Sequence, residues 1–378
     1  MDENRCRLCN RPLGEPLLTY ANMPDSAQGF LTEKESDDDR KSEFHVCQCQ
    51  ECGLVQIPGK PVAYYKDVIR ATEVSEEMKD FRRGQFSGWI ERYGLKGKKI
   101  IEIGCGRGEY MNIMAEQPVE LYGMEHNPES VKTALKNGLR VVEGYPEEPD
   151  DVSNQGFFDG FYVLNFLEHV PEPKRFLHSI YNGLTAQGVG IVEVPNFNMI
   201  LEKKLFSEFI RDHLMYFTKQ TLRILLECSG FEVLEIREVW YDYILSAVVR
   251  KRPPIGIDDL QNQKQMITEQ LWEYVKAVKE KGGTLAVWGA GHQALAILSM
   301  TEIYKEVSCV IDSAEFKQNK YTPATHIKIL PPRILMHGNI TDVLIIAGGF
   351  SDEILRIMDK DYPNVRHAIL RDDGVELC

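Results

Sequence analysis

The segment Lys98-Lys-Ile-Ile-Glu-Ile-Gly-Cys-Gly-Arg-Gly-Glu-Tyr110 decides the fold. Ile100, Ile101 and Ile103 form a β-branched run of strand length, and Gly104, Gly106 and Gly108 follow at alternate positions. Glycines in this arrangement let the backbone turn sharply and approach a ligand, and the helix expected next offers free N–H groups. The spacing differs from the Gly-x-Gly-x-x-Gly of dinucleotide-binding turns, and Glu102 stands two residues before the first glycine. The following strand, Glu120 to Glu125, ends in a carboxylate 21 residues past Gly104, placed to accept both hydroxyls of a ribose. Glu102, Gly104, Gly106, Gly108 and Glu125 are therefore candidate cofactor-binding residues. The plainer alternative is a glycine-rich structural turn.

Working outward, the pattern is that of a doubly wound α/β sheet. Asn127 to Gly138 reads as a helix with Asn127 as N-cap, Pro128 in the first turn and Gly138 at the end. Leu139 to Glu143 is a third strand, and Phe157 to Leu164 a fourth, whose carboxyl end delivers Asn165, Glu168 and His169. Ligands of open α/β sheets bind outside the carboxyl ends of the strands, which places these polar groups where chemistry occurs. A helix over 174–184 and a strand over 189–194 come next, and Phe209 to Phe217 sets Asp212 and His213 among apolar neighbours. Two histidines from separate segments suggest proton transfer, since imidazole titrates near working pH. Each alone also reads as a packed or turn-bridging histidine. Upstream, Val74, Met78, Phe81, Trp89 and Tyr93 give a core stripe to a helix over 74–93. Tyr64 and Tyr65, just before it, either face a substrate or pack.

Length and composition set the bounds. A chain of 378 residues exceeds one core, and we expect domains at 1–60, 61–255 and 256–378. With 43% hydrophobic and 27% charged residues it reads as an ordinary globular protein. A net charge of −13, with no dense Lys/Arg block, argues against a nucleic-acid partner. There is no apolar run of membrane-spanning length and no signal peptide at Met1, so no membrane partner is expected and the cytoplasm is the expected location. Nothing in the sequence fixes the oligomeric state.

Five of the nine cysteines, Cys6, Cys9, Cys47, Cys49 and Cys52, fall in the first 52 residues. Cys6-Arg-Leu-Cys9 and Cys49-Gln-Glu-Cys52 are two C-x-x-C pairs, each able to put two thiolates on one tetrahedral ion. In a reducing compartment this predicts structural zinc rather than disulfides, on Cys6, Cys9, Cys49 and Cys52, with Cys47 a second candidate for the place of Cys49. The charged run from Thr32 to Lys41 reads as a solvated loop.

The order Cys6-x-x-Cys9, Cys49-x-x-Cys52-Gly-Leu-Val-Gln, Glu-Ile-Gly-Cys-Gly-Arg-Gly, Leu-Glu-His-Val, Glu-Val-Pro-Asn and Asp-His-Leu-Met-Tyr-Phe-Thr resembles the deoxysugar C-methyltransferases. The glycine run by itself resembles motif I of the class I S-adenosylmethionine (SAM) methyltransferases. The resemblance covers nearly the whole chain. It implies three parts: a small zinc domain, a class I SAM domain with a doubly wound sheet, and a Rossmann-like C-terminal domain. It implies methylation of a carbon next to the ketone of a nucleotide-linked 4-keto sugar. His213 then falls on the base that removes the α-proton, Asn165 and His169 on polar positions around the sugar, and Asp212 beside the base, with Asn165 also close to the cofactor. The family often has Tyr-His-Glu-His where this chain has Ile210-Arg-Asp-His213, so a tyrosine hydroxyl is replaced and methylation of oxygen or nitrogen stays open.

The last third holds a second strand-turn-helix. Thr284-Leu-Ala-Val-Trp-Gly-Ala-Gly-His-Gln-Ala294 carries Gly-x-Gly-x-x-Ala, and Asp312 ends the next strand 23 residues past Gly289. Taken alone this is the better dinucleotide fingerprint, so an NAD-binding oxidoreductase remains a rival. The resemblance instead gives this half to the sugar nucleotide, with Gly289, Gly291, His292 and Asp312, together with Tyr64 and Tyr65, as candidate substrate-binding residues.

Overall fold

A computed structural model describes residues 4–33, 41–67 and 74–378. Most of the charged run, residues 34–40, lies outside the described residues. The chain forms two compact units, Met1–Pro253 and Pro254–Cys378.

The first unit opens with β1 (Leu18–Met23), β2 (Ser42–Gln48) and β3 (Val55–Gln56), followed by α1 (Glu76–Tyr93). The doubly wound part comprises β4 (Lys99–Ile103), α2 (Glu109–Met114), β5 (Glu120–Glu125), α3 (Pro128–Lys136), β6 (Val141–Glu143) and β7 (Phe158–Leu164). It continues with α4 (Pro173–Asn182), β8 (Leu184–Pro195), α5 (Phe197–Glu202), β9 (Met215–Tyr216), α6 (Lys219–Cys228), β10 (Phe231–Val239) and β11 (Ile244–Lys251). Seven strands lie in the order β10-β11-β8-β7-β4-β5-β6. β4 pairs in parallel with both β5 and β7, so the winding reverses at its carboxyl end and opens a crevice there. β11 runs antiparallel between β8 and β10.

Ser75 caps α1 by accepting the Met78 N–H, and Gly94 ends the helix in the left-handed region. The buried face of α1 differs from the expected stripe: it is Arg82, Phe86, Trp89 and Ile90, with Val74, Met78 and Tyr93 at its edge. A fully buried arginine breaks the apolar pattern that a sequence reader counts. Arg82 is tolerated because its guanidinium meets the equally buried Glu193 of β8 at 2.6 Å.

The first 60 residues share a sheet and a core with later parts of the same unit. β3 pairs with β9 (Val55 with Tyr216), giving a four-stranded sheet β1-β2-β3-β9, and Cys6, Leu8, Cys49 and Leu54 join one buried cluster with Phe217 and Leu222.

The second unit holds α7 (Asp258–Glu280), β12 (Leu285–Trp288), α8 (His292–Met300), β13 (Val307–Ile311), β14 (Ile329–Leu330), β15 (Asp342–Ile345), α9 (Ser351–Asp361), β16 (Arg366–Arg371) and β17 (Gly374–Leu377). Its sheet runs β14-β13-β12-β15-β16-β17, parallel except for β17. Alternation along β12 sends Leu285 and Val287 into one core and Ala286 and Trp288 into the other, so both faces are covered. α7 docks through Ile267, Leu271, Val275 and Val278, one helical stripe. Among the described residues no helix is long and apolar enough to cross a membrane.

Candidate active site

The turn after β4 is built by glycine. Gly104, Gly106 and Gly108 all have positive φ, and a Cβ on Gly108 would fall 2.2 Å from Leu139 Cδ1. The bare backbone brings the Gly106 N–H to Glu125 Oε2 at 2.8 Å, while the Asn127 N–H reaches Oε1 at 2.8 Å. Each carboxylate oxygen keeps a second lone pair. Burial pushes the Glu125 carboxyl above its ordinary range despite these donors. The turn floors a cleft of about 370 Å³ whose wall includes Gly104, Gly106, Glu125, Asn165, His169 and His213. Glu102 stays behind the turn in β4, buried beside Tyr162 and outside that wall.

Asn165 leaves β7 in the left-handed region, at φ 49°, and turns the chain into a 3-10 turn, Leu167–His169. Its Oδ1 is buried with no partner among the described residues. His169 Nδ1 lies 2.8 Å from the Asp212 carbonyl oxygen. Nδ1 therefore carries the proton and Nε2 presents a lone pair. The rings of His169 and His213 stand 4.8 Å apart, edge to face. Burial, then the neighbouring imidazole, pushes His213 down to about 3, and burial also lowers His169. Both rings are neutral at neutral pH. One carboxyl oxygen of Glu168 and one ring nitrogen each of His169 and His213 lie within 4.8 Å of one another. Glu168 is 1% exposed, and burial lifts its carboxyl to about 8.

Asp212 lines the same cleft, yet its carboxylate is taken up in holding the rim. Oδ1 accepts the Tyr64 hydroxyl at 2.6 Å and Oδ2 the Ala27 N–H at 2.8 Å, while the Gln28 N–H donates to the Tyr64 oxygen. Tyr64 is thus a rim strut. Tyr65 lies elsewhere, in a separate hollow with Tyr145 and Arg7.

Three features escaped the sequence reading. Trp240 and Tyr243 line the cleft from the β10–β11 hairpin, where Trp240, Tyr241 and Asp242 are all left-handed with no glycine to announce it. Asp67 pairs with His126 at 2.8 Å beside the same crevice. The isolation of the Glu168 carboxyl depends on tertiary burial, which no local pattern encodes.

The two C-x-x-C turns are alike. Asn10 N–H donates to Cys6 O and Gly53 N–H to Cys49 O, and both Asn10 and Gly53 are left-handed, a conformation these two residue types accept readily. The turns face one another, with Cys6 Sγ 3.5 Å from Cys52 Sγ and Cys9 Sγ 3.4 Å from Cys49 Sγ. Cys47 is buried but not part of this group. Arg7 ties the first turn down by donating to the carbonyls of Gly59 and Pro171.

In the second unit Gly289 sits so close to β15 that a Cβ would fall 2.1 Å from the Ile346 carbonyl oxygen. Asp312 accepts from the Ala290 and Ala314 N–H groups at 2.9 Å each and from Lys317 Nζ at 2.8 Å. Burial alone would raise its carboxyl, but Lys317 and these donors hold it below the usual range. Gly291 and His292 are exposed at the start of α8.

Residues 67–236 match the family described as methyltransferase domain, and residues 256–364 match the C-methyltransferase C-terminal domain. The chain is 21% identical to C-methyltransferase NovU of Streptomyces niveus, over 93% of this chain and 91% of that one. It is 30% identical over 113 residues to a ubiquinone biosynthesis O-methyltransferase of Psychrobacter arcticus, covering 28% of this chain and 44% of the relative. A solved SAM-dependent methyltransferase of Aquifex aeolicus aligns with a TM-score of 0.34 at 17% identity, over 44% of this chain and 89% of its own. The residues fit the methyl donor: a glycine cradle at the switch point of the sheet, and an acid at the next strand end with lone pairs to spare. The strand order, the cleft and the two matched domains lead to one conclusion: the chain is a SAM-dependent methyltransferase whose residues 256–364 are similar to the C-methyltransferase C-terminal domain.

Proposed function

We propose that this enzyme methylates a carbon next to the ketone of a nucleotide-linked keto sugar, with His213 as the base. The observation that carries this reading is the pair of neutral imidazoles, 4.8 Å apart, in the wall of the cleft whose floor is the glycine turn. The similarity to NovU along nearly the whole chain supports carbon as the nucleophile. Bound SAM supplies an electrophilic methyl group. The glycine turn and Glu125 hold it, and Asn165 lies at the border between cofactor and acceptor. His213 takes the α-proton, while the Asn165 amide donates toward the carbonyl oxygen as charge develops there and His169 lines the sugar end of the cleft. Asp212 acts through position: its carbonyl fixes the tautomer of His169 and its carboxylate holds Tyr64. Within the C-terminal unit, Gly289, Gly291, His292 and Asp312 are the residues we give to nucleotide binding.

The reading also assigns one structural zinc to Cys6, Cys9, Cys49 and Cys52. Their closest sulfur pairs, at 3.4–3.5 Å, approach the ~3.8 Å edge of a tetrahedron with Zn–S bonds of ~2.3 Å. Reduced thiols suit a cytoplasmic enzyme. Metal analysis is expected to find one zinc per chain. Cys49→Ser should release it and lower the melting temperature, whereas Cys47→Ser should retain it.

The function is tested in two steps. SAM, and not NAD, should raise the melting temperature of the purified protein. In deuterium oxide without SAM, a keto-sugar nucleotide should acquire deuterium at the α-carbon, and His213→Ala should slow this by about 10²–10⁴-fold while binding SAM normally. Undiminished wash-in by that variant would remove His213 from the role of base. Methylation on oxygen or nitrogen with no wash-in would transfer the enzyme to the other acceptor class.

A further inference from the structure

Glu168 presents an unused acid at the reacting end of the cleft. Its backbone is fixed by the 3-10 turn and by the Leu214 N–H, which donates to its carbonyl at 2.9 Å. The residue is 1% exposed, and its side chain lines the cleft and has an Oε2 with no hydrogen-bond partner among the described residues. Its other oxygen stands 3.8 Å from His169 Nε2, too far for a hydrogen bond. Its immediate partners are two neutral imidazoles, and Arg107 is the one Lys or Arg among the described residues of the cleft wall. Without a cation beside it, a buried carboxyl keeps its proton. A neutral carboxylic acid has one O–H to donate, and an unpartnered buried donor is costly until something accepts from it.

We propose that Glu168 is a catalytic residue that donates this O–H to the ketone oxygen of the acceptor while His213 removes the adjacent proton. The inference rests on the carbon-methylation reading above. In this step the α C–H bond breaks and its proton goes to a His213 ring nitrogen. The C–H electron pair becomes the carbon–carbon π bond, and the carbonyl π pair moves to oxygen. The oxygen's new charge is met by the Glu168 O–H, with the Asn165 amide as a second donor. The resting acid keeps its proton, and no further reactant is required. A buried acid held neutral is a better donor to an enolate oxygen than a carboxylate, which would repel it.

The test uses the full-length protein, thymidine diphosphate 4-keto-6-deoxyglucose as probe, and α-proton wash-in from deuterium oxide in the absence of SAM. Glu168→Ala is expected to slow wash-in by about 10²–10³-fold, the usual effect of losing one oxyanion donor. Glu168→Gln keeps a neutral donor of the same length and is expected to stay within about tenfold of wild type. Melting temperature and SAM affinity serve as folding controls for both variants. Equal loss in Glu168→Gln and Glu168→Ala would overturn the proposal, because the group would then act as a carboxylate. Wash-in that disappears on EDTA dialysis while the four-cysteine zinc is retained, and returns with Mn²⁺, would overturn it too, assigning Glu168, His169 and His213 to a cation. No wash-in by wild type, alongside methylation of oxygen, would sink the underlying reading and this one with it.

Discussion

The two glycine turns of this chain occupy equivalent places in their sheets and have opposite electrostatic states. After β4, the acid at the next strand end, Glu125, accepts two backbone N–H groups, and burial raises its carboxyl. After β12, the equivalent acid, Asp312, accepts two backbone N–H groups and an internal lysine, and its carboxyl is held low. The first can still take hydroxyl donors from a ligand. The second has its charge answered from within. The turn with the better dinucleotide spacing is therefore the one whose acid is already engaged. A fingerprint specifies a backbone path, and the neighbours of the acid decide whether a ribose is welcome.

The comparison is broken most directly at the glycines. Gly108→Val combines a φ of +92° with a Cβ 2.2 Å from Leu139, at a cost of ~2 kcal/mol or more. The variant should lose SAM binding by calorimetry and melt several degrees lower. Gly291→Val meets no atom within 4 Å and starts from an ordinary φ of −86°, so SAM affinity should be unchanged. Equal loss in both variants would mean that the two turns are not separable. The next effect is smaller. Glu125→Ala should weaken SAM by about 30–100-fold, the worth of one or two hydrogen bonds to a charged group. Asp312→Ala should leave SAM affinity where it was, and a matching loss there would reverse the assignment.

These contrasts also separate what a reader of the sequence can see. The β4 turn, the α3 caps, β12 and the two C-x-x-C turns were legible because each rests on local chemistry: β-branched runs, Asn and Pro at a helix start, paired thiols four residues from a left-handed position. Asn165, His169 and His213 were legible as polar residues at a strand end and in an apolar segment. The role of Asp212 as a strut was not, since its partners Tyr64 and Ala27 are 148 and 185 residues away. Nor was the core face of α1, where the buried Arg82 reads as surface until Glu193 is placed beside it. The left-handed Trp240–Asp242 turn and the pairing of β3 with β9 likewise depend on tertiary context that overrides local preference.

The smallest expected effect sharpens the contrast furthest. Lys317 is 27% exposed and Asp312 13%, so their ion pair is partly screened, and Lys317→Met should cost only ~0.5–1 kcal/mol of C-terminal stability. Its more telling consequence concerns pH. A carboxyl with a depressed folded value binds its proton less readily folded than unfolded, so its stabilisation stands in full above pH ~4 and drains as pH falls below that. Wild type should therefore lose stability in urea melts between pH 5 and pH 3 more steeply than Lys317→Met. Freed of its cation, Asp312 would resemble Glu125, with two backbone donors and lone pairs to spare. If the neighbours of the acid set ligand choice, this variant should acquire measurable NAD binding at millimolar concentration where wild type has none. NAD binding by wild type would show that an engaged acid does not exclude the ribose, and its absence from the variant despite a flattened pH dependence would show that the loop excludes the ribose by shape rather than by charge.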